Sequence, residues 1–453
     1  MYIKQNDHEK VYENIISNVH TYEALREILQ SQYASECVET LQQERLNQVV
    51  QTAYEKTKFY KESFDRSGFE GNCRSREELA KLPILQKKDI KTNFFDMIVQ
   101  GYPLNQCMRN RTSGSTGEPV VNLQDFKVHN EIFNINFIRQ RLAWGIGGMN
   151  HMLMIVPKHY AIKDADYPEY VINDVTFDKV WQIHPTEVEY DYEEIFHTIQ
   201  PEIIYGNPYL LKYLANKIDQ EKISIVFPKV IISSFEMLDD SSREYLEHVF
   251  HCRILNVYGF SEVGDVAWQC PENQGLHIND ENIILEVVNE KNEPVYGEIG
   301  DIVVTSLYNH PMPIIRYKTG DKGILDHSEC KCGRKLWKLK SVYGRSVDFI
   351  RLPTGQLIAP YEIMRVMNLL NMGQFQIIQE DEHMITVKCI SSLEDSTLQI
   401  IKSKMEQITH SMMDIRFECV DTIPLDASGK FRAIMSKLGE GRLSDGINNS
   451  TYI

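Results

Sequence analysis

Apolar residues follow three successive rhythms along this chain. Up to about residue 100 the rhythm is helical: Leu46, Val49, Val50 and Ala53 recur at the three- and four-residue spacing that lines one buried helix face. From about 120 to 260, the apolar runs at 152–156, 203–205, 230–232 and 254–258 alternate with longer polar-patterned stretches such as 209–220. Short buried strands separated by helices predict an α/β layered core. Residues 282–306 carry two apolar strands joined by the polar turn at 289–292, which predicts antiparallel pairing. After Asp348, Ile385, Val387 and Cys389 alternate on one strand, and Ile415, Phe417 and Cys419 on another. Between them Leu398, Ile401, Met405 and Ile408 line a helix, so the end of the chain reads as a small α+β domain. Cys389 and Cys419 fall on the apolar faces and are expected to be buried thiols.

These rhythms divide the chain into an N-terminal domain over 1–347, helical over 1–100, and a C-terminal domain over 348–453. A length of 453 residues exceeds what one ordinary core serves, and 42% hydrophobic residues suffice for two. The 48 basic and 64 acidic side chains leave a formal charge of -16, which disfavours nucleic acid and anionic membranes as partners. The opening ten residues have no apolar h-region and no apolar run reaches bilayer length, so cytoplasmic residence is expected. Nine cysteines, an odd number scattered through the chain, fit reduced thiols and a metal site better than a disulfide framework.

The chemistry concentrates in five blocks. Thr112, Ser113, Gly114, Ser115, Thr116 and Gly117, followed by Glu118 and Pro119, form a glycine- and hydroxyl-rich loop suited to wrapping phosphates, or else a plain surface loop. Asn256, Val257, Tyr258, Gly259, Phe260, Ser261 and Glu262 run a strand into a glycine turn. Tyr258 could stack a purine there and Glu262 could hold a magnesium ion; a hairpin with a surface glutamate is the plainer alternative. The block 315–321 ends in Gly320 and Asp321, where the aspartate could accept both hydroxyls of a ribose or simply make a turn. Gly344, Arg345 and Asp348 mark the domain junction, and the block 424–430 displays Lys430 on a turn. No Gly-x4-Gly-Lys-Ser/Thr occurs, which disfavours a P-loop NTPase.

Taken in order, the five blocks resemble the adenylate-forming superfamily of acyl-CoA synthetases, peptide-synthetase adenylation domains and luciferases. Three further stretches, 53–60 with 82–89, Cys270 to His277, and Cys330 to Arg334, are similar to its phenylacetate-CoA ligase and CapK-like branch, which includes coenzyme F390 synthetase-like proteins. The resemblance implies a large adenylate-forming domain, layered α/β with a β-barrel-like part, and a small mobile α+β lid. It implies a ligase in which a carboxylate attacks the α-phosphate of ATP, pyrophosphate leaves, and a thiol of coenzyme A or a carrier protein captures the acyl group. An amine or sugar acceptor, AMP transfer to a hydroxyl, and a nucleotide-binding relative without activity are the alternatives. In these terms Lys430 stabilises the α-phosphoryl charge, Glu262 holds Mg2+, and Thr116 with its loop binds the leaving phosphates. Tyr258 with Gly259 and Ser261 meets the adenine, Asp321 the ribose, Arg345 a ribose or phosphate oxygen, and Glu236 lies beside the nucleotide. Asp348 matches the hinge. The acyl chain would lie among Tyr205, Ser234 and Asn256. Glu118 stands where the family loop commonly has lysine, and Ser261 where threonine is frequent.

Cys270, His277, Cys330 and Cys332 supply three thiolates and an imidazole, a donor set for a closed structural Zn2+ site. Free surface thiols are the alternative reading, and the resemblance to the CapK-like branch favours the metal. A second copy of the chain is kept as a candidate partner.

Overall fold

The computed structural model describes residues 2–4, 18–69, 71–111, 120–158, 161–162, 167–345, 350–358, 363, 375–390, 394–423 and 433–438. Two compact units emerge. One comprises Met1–Leu238, Leu246–Thr319 and Gly323–Val342, the other Asp239–Tyr245, Gly320–Lys322 and Tyr343–Ile453.

The larger unit begins with the helices Val19–Ser31, Ser35–Lys56 and Lys58–Ser67. Leu46, Val49, Val50 and Ala53 are all buried, as their spacing requires. Thr57 leaves helical space at φ −128°, ends the second helix and caps the third by accepting from the Tyr60 amide at 3.2 Å. Gly68 at φ +74° then stops the third helix in the left-handed conformation that glycine adopts without penalty. Sustained helix therefore ends at 67 rather than near 100. Beyond it come only the short pieces Arg76–Leu79, Lys87–Thr92 and Phe95–Met97.

In chain order the strands are β1 (Tyr2–Lys4), β2 (Cys107–Arg111), β3 (Val121–Asp125), β4 (His151–Ile155), β5 (Val171–Asn173), β6 (Lys179–Ile183), β7 (Ile203–Gly206), β8 (Val230–Ser233), β9 (Arg253–Phe260), β10 (Gly264–Gln269), β11 (Leu276–Ile278), β12 (Ile283–Val288), β13 (Ile299–Ser306), β14 (Tyr317–Asp326) and β15 (Lys338–Arg345). All but β2 and β3, which pair with each other, join one sheet in the order β1-β5-β6-β4-β7-β8-β9-β10-β11-β15-β14-β13-β12. Strands β6, β4, β7, β8 and β9 run parallel. They coincide with the apolar runs because a parallel strand is covered on both faces. From β9 onward β10, β11 and β15 pair antiparallel, and β12 pairs with β13 in the expected hairpin, with Ile283 opposite Ser306. Asn289 folds that hairpin's turn, its side chain accepting from the Lys291 and Glu293 amides at 2.9 and 3.0 Å.

Residues 279–282 form a polar knot where the helices meet the sheet. Glu281, fully buried, takes both carboxylate bonds from Arg139 Nη1 at 2.9 and 2.8 Å, and Ser31 adds a third at 3.3 Å. Gln42 and Arg45 donate to the Asp280 and Glu281 carbonyls at 2.6 and 2.8 Å.

The smaller unit contains the strand pair β16 (Ile350–Arg351) and β17 (Leu357–Ile358) and a sheet of β18 (Phe375–Gln379), β19 (Met384–Cys389), β20 (Asp414–Cys419) and β21 (Ile434–Ser436), ordered β20-β19-β18-β21. Its core includes Ile377, Ile385, Val387, Ile401 and Met405. Cys389 is buried but Cys419 is exposed, against expectation. Alternation identifies a strand face, but among the described residues β20 is an edge strand paired with β19 alone, and its last side chain is exposed. No helix among the described residues is long and apolar enough to cross a membrane.

Replacing Glu281 with glutamine leaves the Arg139 guanidinium buried without its counter-charge, which should cost about 3–5 kcal/mol. Urea unfolding checks this, as a midpoint shifted down at unchanged slope.

Candidate functional site

The strand β9 delivers Asn256, Tyr258 and Gly259 to the turn that holds Ser261 and Glu262. A Cβ on Gly259 would come within 2.6 Å of the Gly264 carbonyl oxygen, so only glycine lets β9 and β10 close this tightly. The turn is fixed from outside. Asn122 and Gln124 on β3 donate to the Glu262 carbonyl at 2.9 Å each, and Gln124 also reaches the Ser261 carbonyl at 3.3 Å. Across the hairpin from β3, Asn110 on β2 donates to the same Ser261 carbonyl at 3.5 Å. Strands β2 and β3, with Arg111 opposite Val121, flank the glycine- and hydroxyl-rich block. Thr112, Ser113, Gly114, Ser115, Thr116 and Gly117 themselves lie outside the described residues, as do Asp348 and Lys430.

The third block joins the same turn. Tyr317, at the start of β14, donates its phenol to Glu262 Oε1 at 2.8 Å, and Glu262 is buried. A phenol bonded to one oxygen orients the carboxylate and leaves acceptor capacity for a ligand. Asp321 is half-buried on the same strand, following Gly320 at φ +90°. Arg345 ends β15, and its side chain lies outside the described part.

The acyl-chain candidates gather at the carboxyl ends of the parallel strands, where open α/β sheets present ligands. Gly206, Ser233 and Asn256 are register partners across β7, β8 and β9. Tyr205 stands beside this row, edge-on to Phe137 at 6.4 Å and to Phe235 at 5.7 Å between ring centroids. Ser234 is buried, its amide bonded to the Gly206 carbonyl at 3.1 Å. Glu236 accepts from Asn207 Nδ2 at 3.1 Å, while the Asn207 side-chain oxygen caps the helix Pro208–Glu221 through the Leu210 amide at 2.8 Å.

Four residues missed in the sequence now have positions: Asn122, Gln124, Asn207 and Tyr317. Asn207 had a readable signal, an N-cap asparagine followed by proline at the first helical position. The other three act across pairings distant in sequence, which no local pattern announces.

The donor atoms of Cys270, His277, Cys330 and Cys332 all lie within 4.8 Å of one another. Cys270 Sγ is 3.7 Å from Cys330 Sγ, and Cys332 Sγ is 3.2 Å from His277 Nε2. Tetrahedral zinc bonds place two thiolates about 3.8 Å apart and a thiolate and imidazole about 3.6 Å apart, so the donor set fits such an ion. Burial pushes the Cys270 thiol up to about 12. Burial, with Arg334, Lys338 and Arg139 nearby, pushes the His277 imidazole down to about 3, so the ring stays neutral as a metal ligand must. The loop carrying Cys330 and Cys332 is tied to the helices, with Lys335 N donating to the Gln32 carbonyl at 2.8 Å and Arg334 Nε to its side-chain oxygen at 3.0 Å.

Known proteins resemble this chain in sequence and in fold. The family model for the CapK C-terminal domain matches residues 351–437. Protein CapK of Staphylococcus aureus is 23% identical over 410 residues, covering 88% of this chain and 89% of that protein. Phenylacetate-coenzyme A ligase of Thermus thermophilus is 26% identical over 331 residues, covering 70% of this chain and 72% of the relative. Over most of its length the chain is similar to phenylacetate-CoA ligases and to protein CapK. Its fold is that of 2-hydroxyisobutyryl-CoA ligase in the postadenylation state in complex with R3-HIB-AMP, with a TM-score of 0.73 at 18% identity over 89% of this chain and 90% of the other.

A side chain at position 259 would collide with the backbone of β10. Gly259→Ala should therefore lower stability by about 1–3 kcal/mol through overpacking, read from thermal or urea unfolding. An unchanged midpoint would mean the hairpin has room to spare.

Proposed function

We propose that the protein is an ATP-dependent, AMP-forming ligase that activates a small carboxylic acid as its acyl adenylate and passes the acyl group to the thiol of coenzyme A. One observation carries this reading: hydrogen bonds join three sequence blocks at the Glu262 turn. The strands flanking the glycine- and hydroxyl-rich block bind its carbonyls, and Tyr317 of the third block binds its carboxylate. The named activity of the Thermus thermophilus relative, a phenylacetate-coenzyme A ligase, supports the thiol as acceptor.

In the first step an oxygen of the acid attacks the α-phosphate, the bond to the β-phosphate breaks, and pyrophosphate leaves. Negative charge builds on the α-phosphoryl oxygens, so a preorganised cation there lowers the barrier. Lys430 is assigned that role. Glu262 would hold a magnesium ion, whose charge offsets that of the phosphates. Thr112 to Gly117 would bind the departing pyrophosphate, Tyr258 the adenine ring, and Asp321 and Arg345 the ribose and its phosphate. Glu236, held by Asn207, would border the nucleotide. Bending at Asp348 would then withdraw Lys430 and let the thiolate attack the acyl carbon, releasing AMP. Cys270, His277, Cys330 and Cys332 would hold a structural zinc ion that pins two distant loops together.

Lys430→Ala should slow ATP–pyrophosphate exchange by about two to three decades while sparing thioester formation from supplied acyl adenylate. Equal loss of both would overturn the division of labour. Coenzyme A should accelerate AMP release; no acceleration would point to a carrier thiol, an amine or a hydroxyl as acceptor. Metal analysis should find about one zinc per chain, lost in Cys330→Ser, and a zinc-free native protein would remove the metal assignment.

A further inference from the structure

A carboxylate stands beside the acyl-chain candidates with no cation to neutralise it. Asp265, the second residue of β10, lies directly opposite Gly259, where the two backbones approach closely. Position 265 shares its face of the sheet with Val257, which packs in one cluster with Phe137 and Tyr205. That face is covered by the helix Phe126–Ala143, whose Gln140 Nε2 donates to Asp265 Oδ2 at 3.2 Å. No lysine or arginine pairs with Asp265 among the described residues, although the carboxylates of Asp178, Glu281 and Glu286 are each matched to an arginine.

The surroundings show that this is a maintained position. Asn279 donates to the Asp265 carbonyl at 2.8 Å and is itself bonded to Arg139, so the polar knot at 279–282 fixes the strand here. His129, on the same helix, brings Cε1 to 3.6 Å from where a Cβ on Gly264 would sit, and its Nδ1 is buried without a hydrogen-bond partner. Tyr308 donates its phenol to the Val263 carbonyl. The groups around Asp265 are thus a carboxamide, a second carboxamide, an imidazole and a phenol, none of them a fixed cation. Desolvation pushes the Asp265 carboxyl up to about 6, with the Gln140 bond acting in the opposite sense. A half-buried carboxylate with one hydrogen bond and no counter-charge among the described residues is available to receive a donor.

We propose that Asp265 is a specificity residue of the acyl pocket, receiving a hydrogen-bond-donating group, an ammonium or a hydroxyl, carried by the carboxylic acid at a distance from its reacting carboxylate. The proposal rests on the adenylate-forming reading of the site and adds to it the chemical class of the acid. The ring pairs of Phe137, Tyr205 and Phe235 provide an apolar wall on one side, and Asp265 with Gln140 the polar contact on the other. A site built to pair with a donor rejects the analogue that lacks it, because the buried acceptor is then left unpaired.

The test is ATP–pyrophosphate exchange on the full-length protein with matched acids differing only in one substituent: hydrogen, hydroxyl or aminomethyl on otherwise identical aryl and alkyl carboxylates. The donor-bearing acids should exceed their unsubstituted partners by about tenfold or more in kcat/KM. Asp265→Ala should erase that ratio, chiefly through KM, whereas Asp265→Asn, which loses the charge but keeps an acceptor oxygen, should erase it for the aminomethyl acids and keep most of it for the hydroxyl acids. The hydroxyl and aminomethyl arms separate a neutral donor from a cation, since only the second should respond to loss of charge far more than to loss of an acceptor. Equal use of all acids by the native protein, or an unchanged ratio in Asp265→Ala, would overturn the assignment while the ligase reading stands. Absence of exchange with every acid would instead overturn the ligase reading itself. If the variant does not fold, the native-protein ratios alone decide.

Discussion

Taking the Glu281 carboxylate out of water is the constraint around which the larger unit is organised. An ion of that kind costs several kcal/mol to bury, and the cost is recovered only by a partner of fixed geometry together with further donors. Arg139 is that partner, and Ser31 and Arg45 complete the set through the carboxylate and the Glu281 carbonyl. These residues come from three helices, so the full set of bonds to Glu281 forms only when all three are docked. The same loop passes its order onward: Asn279 is bonded to Arg139 and to the Asp265 carbonyl, and Ile278 pairs in β11 one residue beyond His277. One electrostatic requirement thereby holds the helical layer, the start of β10 and the edge of the cysteine cluster in a common frame.

The Glu262 turn shows a different economy of means. Its backbone carbonyls, which a turn would ordinarily leave to water, are taken by amide side chains of β2 and β3. Amides suit this task because they donate without carrying charge, so they fix the turn without competing for an anion or cation nearby. Tyr317 does the same for the carboxylate itself. Donors and acceptors are thus fixed by the protein's own strands, the condition under which electrostatic assistance costs little rearrangement.

What the sequence disclosed was whatever depends on local periodicity. The stripe from Leu46 to Ala53, the doubly covered parallel strands and the hairpin at 283–306 each follow from spacing that a neighbouring residue can announce. Cys419 was misassigned because alternation tells which side of a strand a residue occupies but not whether the sheet continues past it. Strand β1 was unanticipated, since three residues paired to Val171–Asn173 carry no period of their own. The motif residues of the candidate site were legible by type and order. The groups that hold them were not: Gln124 and Glu262 are 138 positions apart, and Arg139 and Glu281 are 142 apart. Such pairs exist only after the sheet has closed.

The shared register of Gly206, Ser233 and Asn256 also limits how this protein can change. Successive side chains on a strand point to opposite faces, so inserting or deleting one residue in β7, β8 or β9 would invert every side chain beyond it. Tyr205 and Ser234 could not keep their places beside the row after such a shift. Descendants of this chain that acquire new preferences must therefore do so by exchanging side chains at constant strand length, and tolerance for gained or lost residues belongs to the connecting loops.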